Sequence, residues 1–287
     1  MNLTEQTIAA GGHDWFYREI TPDVPNGKPP VLFIHGILCH SYGWRILMET
    51  CAAAGYRAIA PDWLGFGRSA KPQPREFAYS PAAYEAALGD WITAMELEQF
   101  TLVAQGYLGS VGVQYACNHP EQIDRLVILN TPLTTSATVP WIMQRWTIPF
   151  VGDMLTQDPL LVDRTLEGGS GLVIEENELS FYRQPFLKSS QAGRALLMTA
   201  KKLNLSQAMG QLSQDLAQWR KPTQIIWGMA DPWLDGEPVR QQLQKNPMVD
   251  WNAIAEAKHY PQEHWGQEIG QILLPFLNRE FSELGGS

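Results

Sequence analysis

A chain of 287 residues, 45% of them apolar, is long enough to bury a sizeable core as one large α/β domain or two small ones. Its net charge of −9 and pI near 5.2 oppose contact with phosphate backbones or anionic lipid, and no local run of Lys and Arg offsets that balance, which excludes nucleic acid and disfavours a membrane. Cys39, Cys51 and Cys117 are odd in number and unrelated in spacing, so they read as reduced thiols; with no secretory pattern and no apolar run of spanning length, a cytoplasmic location is expected.

The predicted elements begin with a β-branched run at 31–35, ending on His35 and Gly36. A second run at 58–61 leads into Asp62-Trp63-Leu64-Gly65-Phe66-Gly67-Arg68-Ser69. A helix follows at 84–96. The stretch 100–110 then reads as a buried strand ending at Gln105, a sharp turn at Gly106 and the start of a helix that continues through 111–118. Strand runs at 126–129 and 224–227 complete the series. Short runs of this kind, separated by segments of helical period, predict a mostly parallel sheet with helices on both faces. Between 133 and 221 the strand runs vanish and helical stretches at 141–150, 179–182 and 193–217 predict an inserted helical cap. The core is thereby divided into 1–132 and 222–287, and a last helix spans 266–281. Within the cap, Glu167-Gly168-Gly169-Ser170-Gly171 lacks the Lys-Ser/Thr of a phosphate loop and reads as a flexible connection. No metal or cofactor site is indicated.

Five segments in this order carry a resemblance: Phe33-Ile34-His35-Gly36 with Trp44 and Arg45, the loop from Pro61 to Ser69, Trp227-Gly228-Met229-Ala230-Asp231-Pro232, His259-Tyr260-Pro261-Gln262-Glu263, and Tyr182-Arg183-Gln184-Pro185-Phe186 in the cap. Together they resemble the haloalkane dehalogenase and epoxide hydrolase branch of the α/β-hydrolases over nearly the whole chain. The resemblance implies a nucleophile at the strand–helix turn, then an acid and a histidine after late strands. These fall on Gly106, Asp231 and His259. Taken singly, Asp231 before a proline reads as a turn residue and His259 as a structural histidine; the pair in this order reads as an acid–base dyad.

The departures from the family pattern lie together. Dehalogenases carry an aspartate preceded by Gln and followed by Trp-Gly-Gly, whereas Gln105 here precedes Gly106-Tyr107-Leu108-Gly109, and Ile37 stands where the halide-binding asparagine belongs. An isoleucine side chain donates no hydrogen bond to a leaving anion. Covalent dehalogenation and epoxide opening are therefore disfavoured. The backbone N–H groups of Ile37 and Tyr107 still suit an oxyanion-type hole, because such donors do not depend on the side chain. Ser110 is a secondary candidate nucleophile, expected in the helix's first turn as a satisfier of free N–H groups; Cys39 is a weaker one. His264 is a secondary base, expected on an exposed helical turn.

Two functions follow. The first is an atypical hydrolase or lyase acting on an apolar small molecule, with His259 oriented by Asp231 and no covalent nucleophile. The second is an inactive, ligand-binding relative that holds an apolar molecule under a lid rich in aromatic residues, with Trp141, Trp146 and Tyr182 as substrate contacts. The retained dyad favours the enzyme. Oligomeric state is not legible.

Overall fold

A computed structural model describes residues 2–281. The chain opens with a hairpin, β1 (Asn2–Ala10) and β2 (His13–Thr21), turning through Gly11 and Gly12 at φ of 57° and 79°. Two consecutive left-handed residues match the twist of a two-residue hairpin, and glycine adopts them without a Cβ penalty. The core alternates β3 (Val31–Ile34), α1 (Arg45–Ala53), β4 (Ala58–Pro61), α2 (Pro81–Ala94), β5 (Phe100–Gln105), α3 (Gly106–Asn118) and β6 (Ile123–Leu129). Six helices intervene before the next strand: α4 (Trp141–Gln144), α5 (Val151–Leu155), α6 (Leu160–Ser170), α7 (Glu176–Lys188), α8 (Ser190–Lys202) and α9 (Leu205–Gln218). The chain then returns through β7 (Thr223–Gly228), α10 (Glu237–Leu243), β8 (Val249–Ile254), α11 (Pro261–His264) and α12 (Gly266–Asn278).

The strands form one eight-stranded sheet in the order β1-β2-β4-β3-β5-β6-β7-β8. Pairing is parallel from β4 across to β8 and antiparallel only where β2 meets β1 and β4. Every residue of β3, β4, β5 and β7 is buried, as expected for strands covered on both faces. The period of two divides them: Val31 and Phe33 pack with Leu47, Met48, Leu273 and Phe276 of α1 and α12, while Leu32 and Ile34 join Leu88 and Trp91 of α2 and Val113 of α3. Complete burial of each such side chain contributes about 2 kcal/mol.

The fold is the expected α/β sheet with an inserted helical cap, and it departs from the sequence reading in detail. The polar edge strands β1 and β8 had no apolar run to announce them. The stretch 193–217 is two helices, because Asn204 takes a left-handed φ of 40° between α8 and α9. The stretch 141–150 is likewise broken, by a 3-10 turn at Arg145–Thr147 and by Phe150 at φ 64°. Residues 167–170 are not a loose connection; they complete α6, whose end is capped by Gly171 at φ 73°. The last helix stops at Asn278 rather than 281. No described helix is long and apolar enough to cross a membrane.

Candidate active site

The strand–helix turn brings two backbones together. Gly106 opens α3 at φ 74°, directly after the fully buried β5, and a Cβ added to it would lie 3.0 Å from the Gly36 Cα and 3.6 Å from the His259 Nε2. Gly36 is as confined, since its own Cβ would meet the Gly106 Cα at 3.0 Å. A side chain at 106 would therefore start between Gly36 and the imidazole. Of the two glycines, 106 also needs the left-handed conformation.

The two residues that follow these glycines are Ile37 and Tyr107, both buried. Among the described residues neither backbone N–H has a protein acceptor. Buried N–H groups are almost always paired, so these two are donors left over next to the two touching glycines. Their side chains serve the walls: the Tyr107 hydroxyl donates to the Thr138 carbonyl at 2.9 Å, and the Ile37 carbonyl accepts from the Tyr260 hydroxyl at 3.1 Å.

His259 and Asp231 meet after β8 and β7. The imidazole is 1% exposed, and its Nδ1 lies 2.9 Å from Asp231 Oδ2. Asp231 Oδ2 also accepts from Asn130 Nδ2 at 2.8 Å, and Oδ1 accepts from the Trp233 and Leu234 N–H groups at 2.8 and 3.2 Å. Burial by itself would raise the Asp231 carboxyl; the neighbouring His259 and these donors outweigh it and hold the group below its ordinary value. With Nδ1 against the Asp231 carboxylate, Nε2 is the ring nitrogen directed towards residue 106. The ring is held further by Trp233, Tyr260 and Tyr107, with centroids 4.7, 4.9 and 5.5 Å away. Its backbone is pinned from both sides: the His259 N–H donates to the Gly169 carbonyl of α6 at 2.8 Å, and Gln105 Nε2 donates to the His259 carbonyl at 2.7 Å.

Asn130 and Trp233 were not singled out from sequence. Asn130 stands at the end of β6 at φ 36°, and its amide binds both the N–H and the carbonyl of Gly228 at 2.8 and 3.1 Å. An asparagine directly after a buried strand was the available signal, because its side chain tolerates the left-handed region.

The other candidates are placed elsewhere. Ser110 is not in the first turn satisfying N–H groups; its hydroxyl donates to the Tyr107 carbonyl at 2.7 Å, and it lines a groove of about 930 Å³ together with residues of α2 and α9. Cys39 is buried, and burial followed by the nearby Glu263 pushes its thiol well above the ordinary value, the opposite of an activated thiolate. His264 ends the short α11, half-buried rather than exposed. In the cap, Trp141 is 68% exposed, Trp146 is fully buried, and the buried Tyr182 gives its hydroxyl to Glu263. The groove of about 930 Å³ and the cavity of about 490 Å³ between core and cap are lined by none of Gly106, Ile37, Tyr107 and His259. Among the described residues no group of three or more His, Cys, Asp or Glu is arranged to hold a metal.

The sequence pattern of the alpha/beta hydrolase fold matches residues 29–266. The chain belongs to the α/β-hydrolase fold family. Within it, the chain is 30% identical over 259 residues to the haloalkane dehalogenase of Mycobacterium marinum, covering 87% of this chain and 85% of that protein. It is 29% identical over 256 residues to haloalkane dehalogenase 1 of Mycobacterium tuberculosis, with 86% and 83% covered. Among solved structures, it is similar to haloalkane dehalogenase DbeA from Bradyrhizobium elkani at a TM-score of 0.85 and 23% identity, covering 96% of this chain and 98% of that one. The dehalogenase DatA from Agrobacterium tumefaciens superposes at 0.84 with 19% identity, covering 96% and 97%. This places the chain in the dehalogenase-like branch of the α/β-hydrolases.

Proposed function

We propose that this α/β-hydrolase-fold protein hydrolyses an apolar small molecule without a covalent intermediate. His259, oriented by Asp231, takes a proton from water seated beside Gly106 as that water attacks, and the Ile37 and Tyr107 N–H groups oppose the charge that develops on the substrate oxygen. The carrying observation is the 3.6 Å between His259 Nε2 and the point where a residue-106 side chain would begin. A base there faces no carboxylate or hydroxyl of residue 106, so the proton it takes comes from water. The free thiols Cys39, Cys51 and Cys117 support the reducing, cytoplasmic setting.

The experiment is turnover of an ester, lactone and epoxide panel by the native protein and by His259→Gln. A fall of about a thousandfold or more in kcat/KM is expected, in line with the loss of a general base. Undiminished turnover by the variant would refute the mechanism.

One observation favours a second reading, that of a ligand-holding relative without turnover: His259 is 1% exposed, shut away from solvent beneath Trp233 and Tyr260. Native mass spectrometry after mild purification separates the two. A retained apolar molecule combined with no turnover across the panel supports this second reading; turnover lost with His259 supports the first.

A further inference from the structure

A second cavity, about 490 Å³, lies on the seam between core and cap and uses none of the groups around His259. Its core wall comes from β1, β2 and the loop after β4; its cap wall comes from the end of α7 and the start of α8. Four cations line it, Arg18, Arg68, Lys71 and Lys188, against two carboxylates, Glu5 and Asp62. In a chain of net charge −9 this is a local reversal of sign.

The carboxylates are already committed. Asp62 is fully buried, and its two oxygens accept from the N–H groups of Ser41 and Arg68 at 2.7 and 2.8 Å. That second bond depends on Gly67, at φ 48°, because a Cβ there would run into the Asp62 carboxylate. Glu5 is shared between Arg18 and Arg68. The ammonium groups have no carboxylate hydrogen-bond partner: Lys71 Nζ donates to the Gly67 and Ser69 carbonyls at 2.8 and 2.9 Å, and Lys188 Nζ to the Gln184 amide at 3.2 Å. Burial pushes the Lys71 ammonium down to about 8, and Asp62 only partly restores it. Ser189 and Gln191, at the start of the 13-residue α8, bring the positive end of that helix to the same wall.

We propose that this cavity binds a soluble phosphate monoester, with the phosphate set between Arg68 and Lys71 of the core and Lys188 of the cap. Four cations against two carboxylates leave two positive charges in excess, which a phosphate monoester dianion neutralises. The guanidinium of Arg68 and the ammonium groups are the donors that phosphate oxygens accept from. Ala70, Phe181 and Pro185 provide the apolar surface for the organic part, and the volume is that of a small-molecule site. A ligand held there touches core and cap at once and fastens one to the other.

The test is isothermal titration calorimetry with glucose 6-phosphate and with inorganic phosphate at constant ionic strength. The proteins compared are the native chain, Arg68→Gln, Lys188→Gln, the double variant, and Lys245→Gln as a control outside the cavity. Arg68 and Lys188 are both exposed, so their replacement leaves the core intact. Saturable binding is expected in the native and control proteins, weakened about tenfold by each substitution and about a hundredfold by both. Absence of saturable binding in the native protein, or equal binding by the double variant, overturns the site. Pelleting with phosphatidic acid vesicles without binding of either soluble phosphate overturns it as well, by assigning the cations to a lipid surface.

Discussion

Gly106 opens α3 directly after β5 in a left-handed turn and presents no side chain there. Because its φ is 74° and a Cβ would lie 3.0 Å from the Gly36 Cα, Gly106→Ala should lower stability by about 1–2 kcal/mol, read as a lower urea midpoint with an unchanged slope. Asn130→Ala should cost about 2–3 kcal/mol, since it strips the partners from the Gly228 N–H and carbonyl and one donor from Asp231. Circular-dichroism melts of the two variants measure both. The resemblance to the dehalogenase-like branch, which puts the acid and the histidine after late strands, is what points to Asp231 and His259 as a pair. It does not reveal Asn130 or Trp233, whose parts depend on a left-handed φ and a ring contact that are fixed only in three dimensions.

At the scale of elements, core and cap are joined by a buried polar cluster where α1, α7 and α11 meet. Arg45 pairs with Glu178 and, at 3.2 Å, with Glu263, which also accepts from the Tyr182 hydroxyl. Tyr42 stacks on Phe181 at 4.3 Å, and His40 contacts the Phe181 carbonyl at 3.1 Å. Arg45→Met leaves Glu263 buried and unpaired, so it should destabilise by about 3–5 kcal/mol, whereas Tyr182→Phe should cost about 1–3 kcal/mol. Urea unfolding followed by tryptophan fluorescence checks the order of the two. The buried parallel strands were legible because each is a continuous apolar run. The edge strands β1 and β8 were not, because polar edge strands carry no such run and are specified by their neighbours; β2, buried between β1 and β4, mixes Arg18 and Glu19 into its apolar residues. The breaks in the cap at Phe150 and Asn204 were hidden for a related reason: each is a single left-handed residue within a sequence of otherwise helical period.

Over the whole molecule, charge is distributed in a way that composition conceals. A net −9 chain without any basic run assembles Arg18, Arg68, Lys71 and Lys188 around one cavity from segments distant in sequence. Burial also keeps His35 and His40 neutral, pushing each down to about 4 from an ordinary value near 6.5. Between those values the unfolded chain binds more protons than the folded one, so stability should fall by a few kcal/mol as pH drops from about 6.5 to about 4. Urea midpoints across that range measure the loss, and His40→Gln should make it shallower.

The central claim is hydrolysis through His259 without a bond to the protein. The direct measurement is a single turnover of a panel substrate in heavy-oxygen water, with product and intact protein both weighed by mass spectrometry. The account predicts solvent oxygen in the first product formed and a protein of unchanged mass throughout. A covalent adduct on the protein during turnover, or first-turnover product without solvent oxygen, would contradict it.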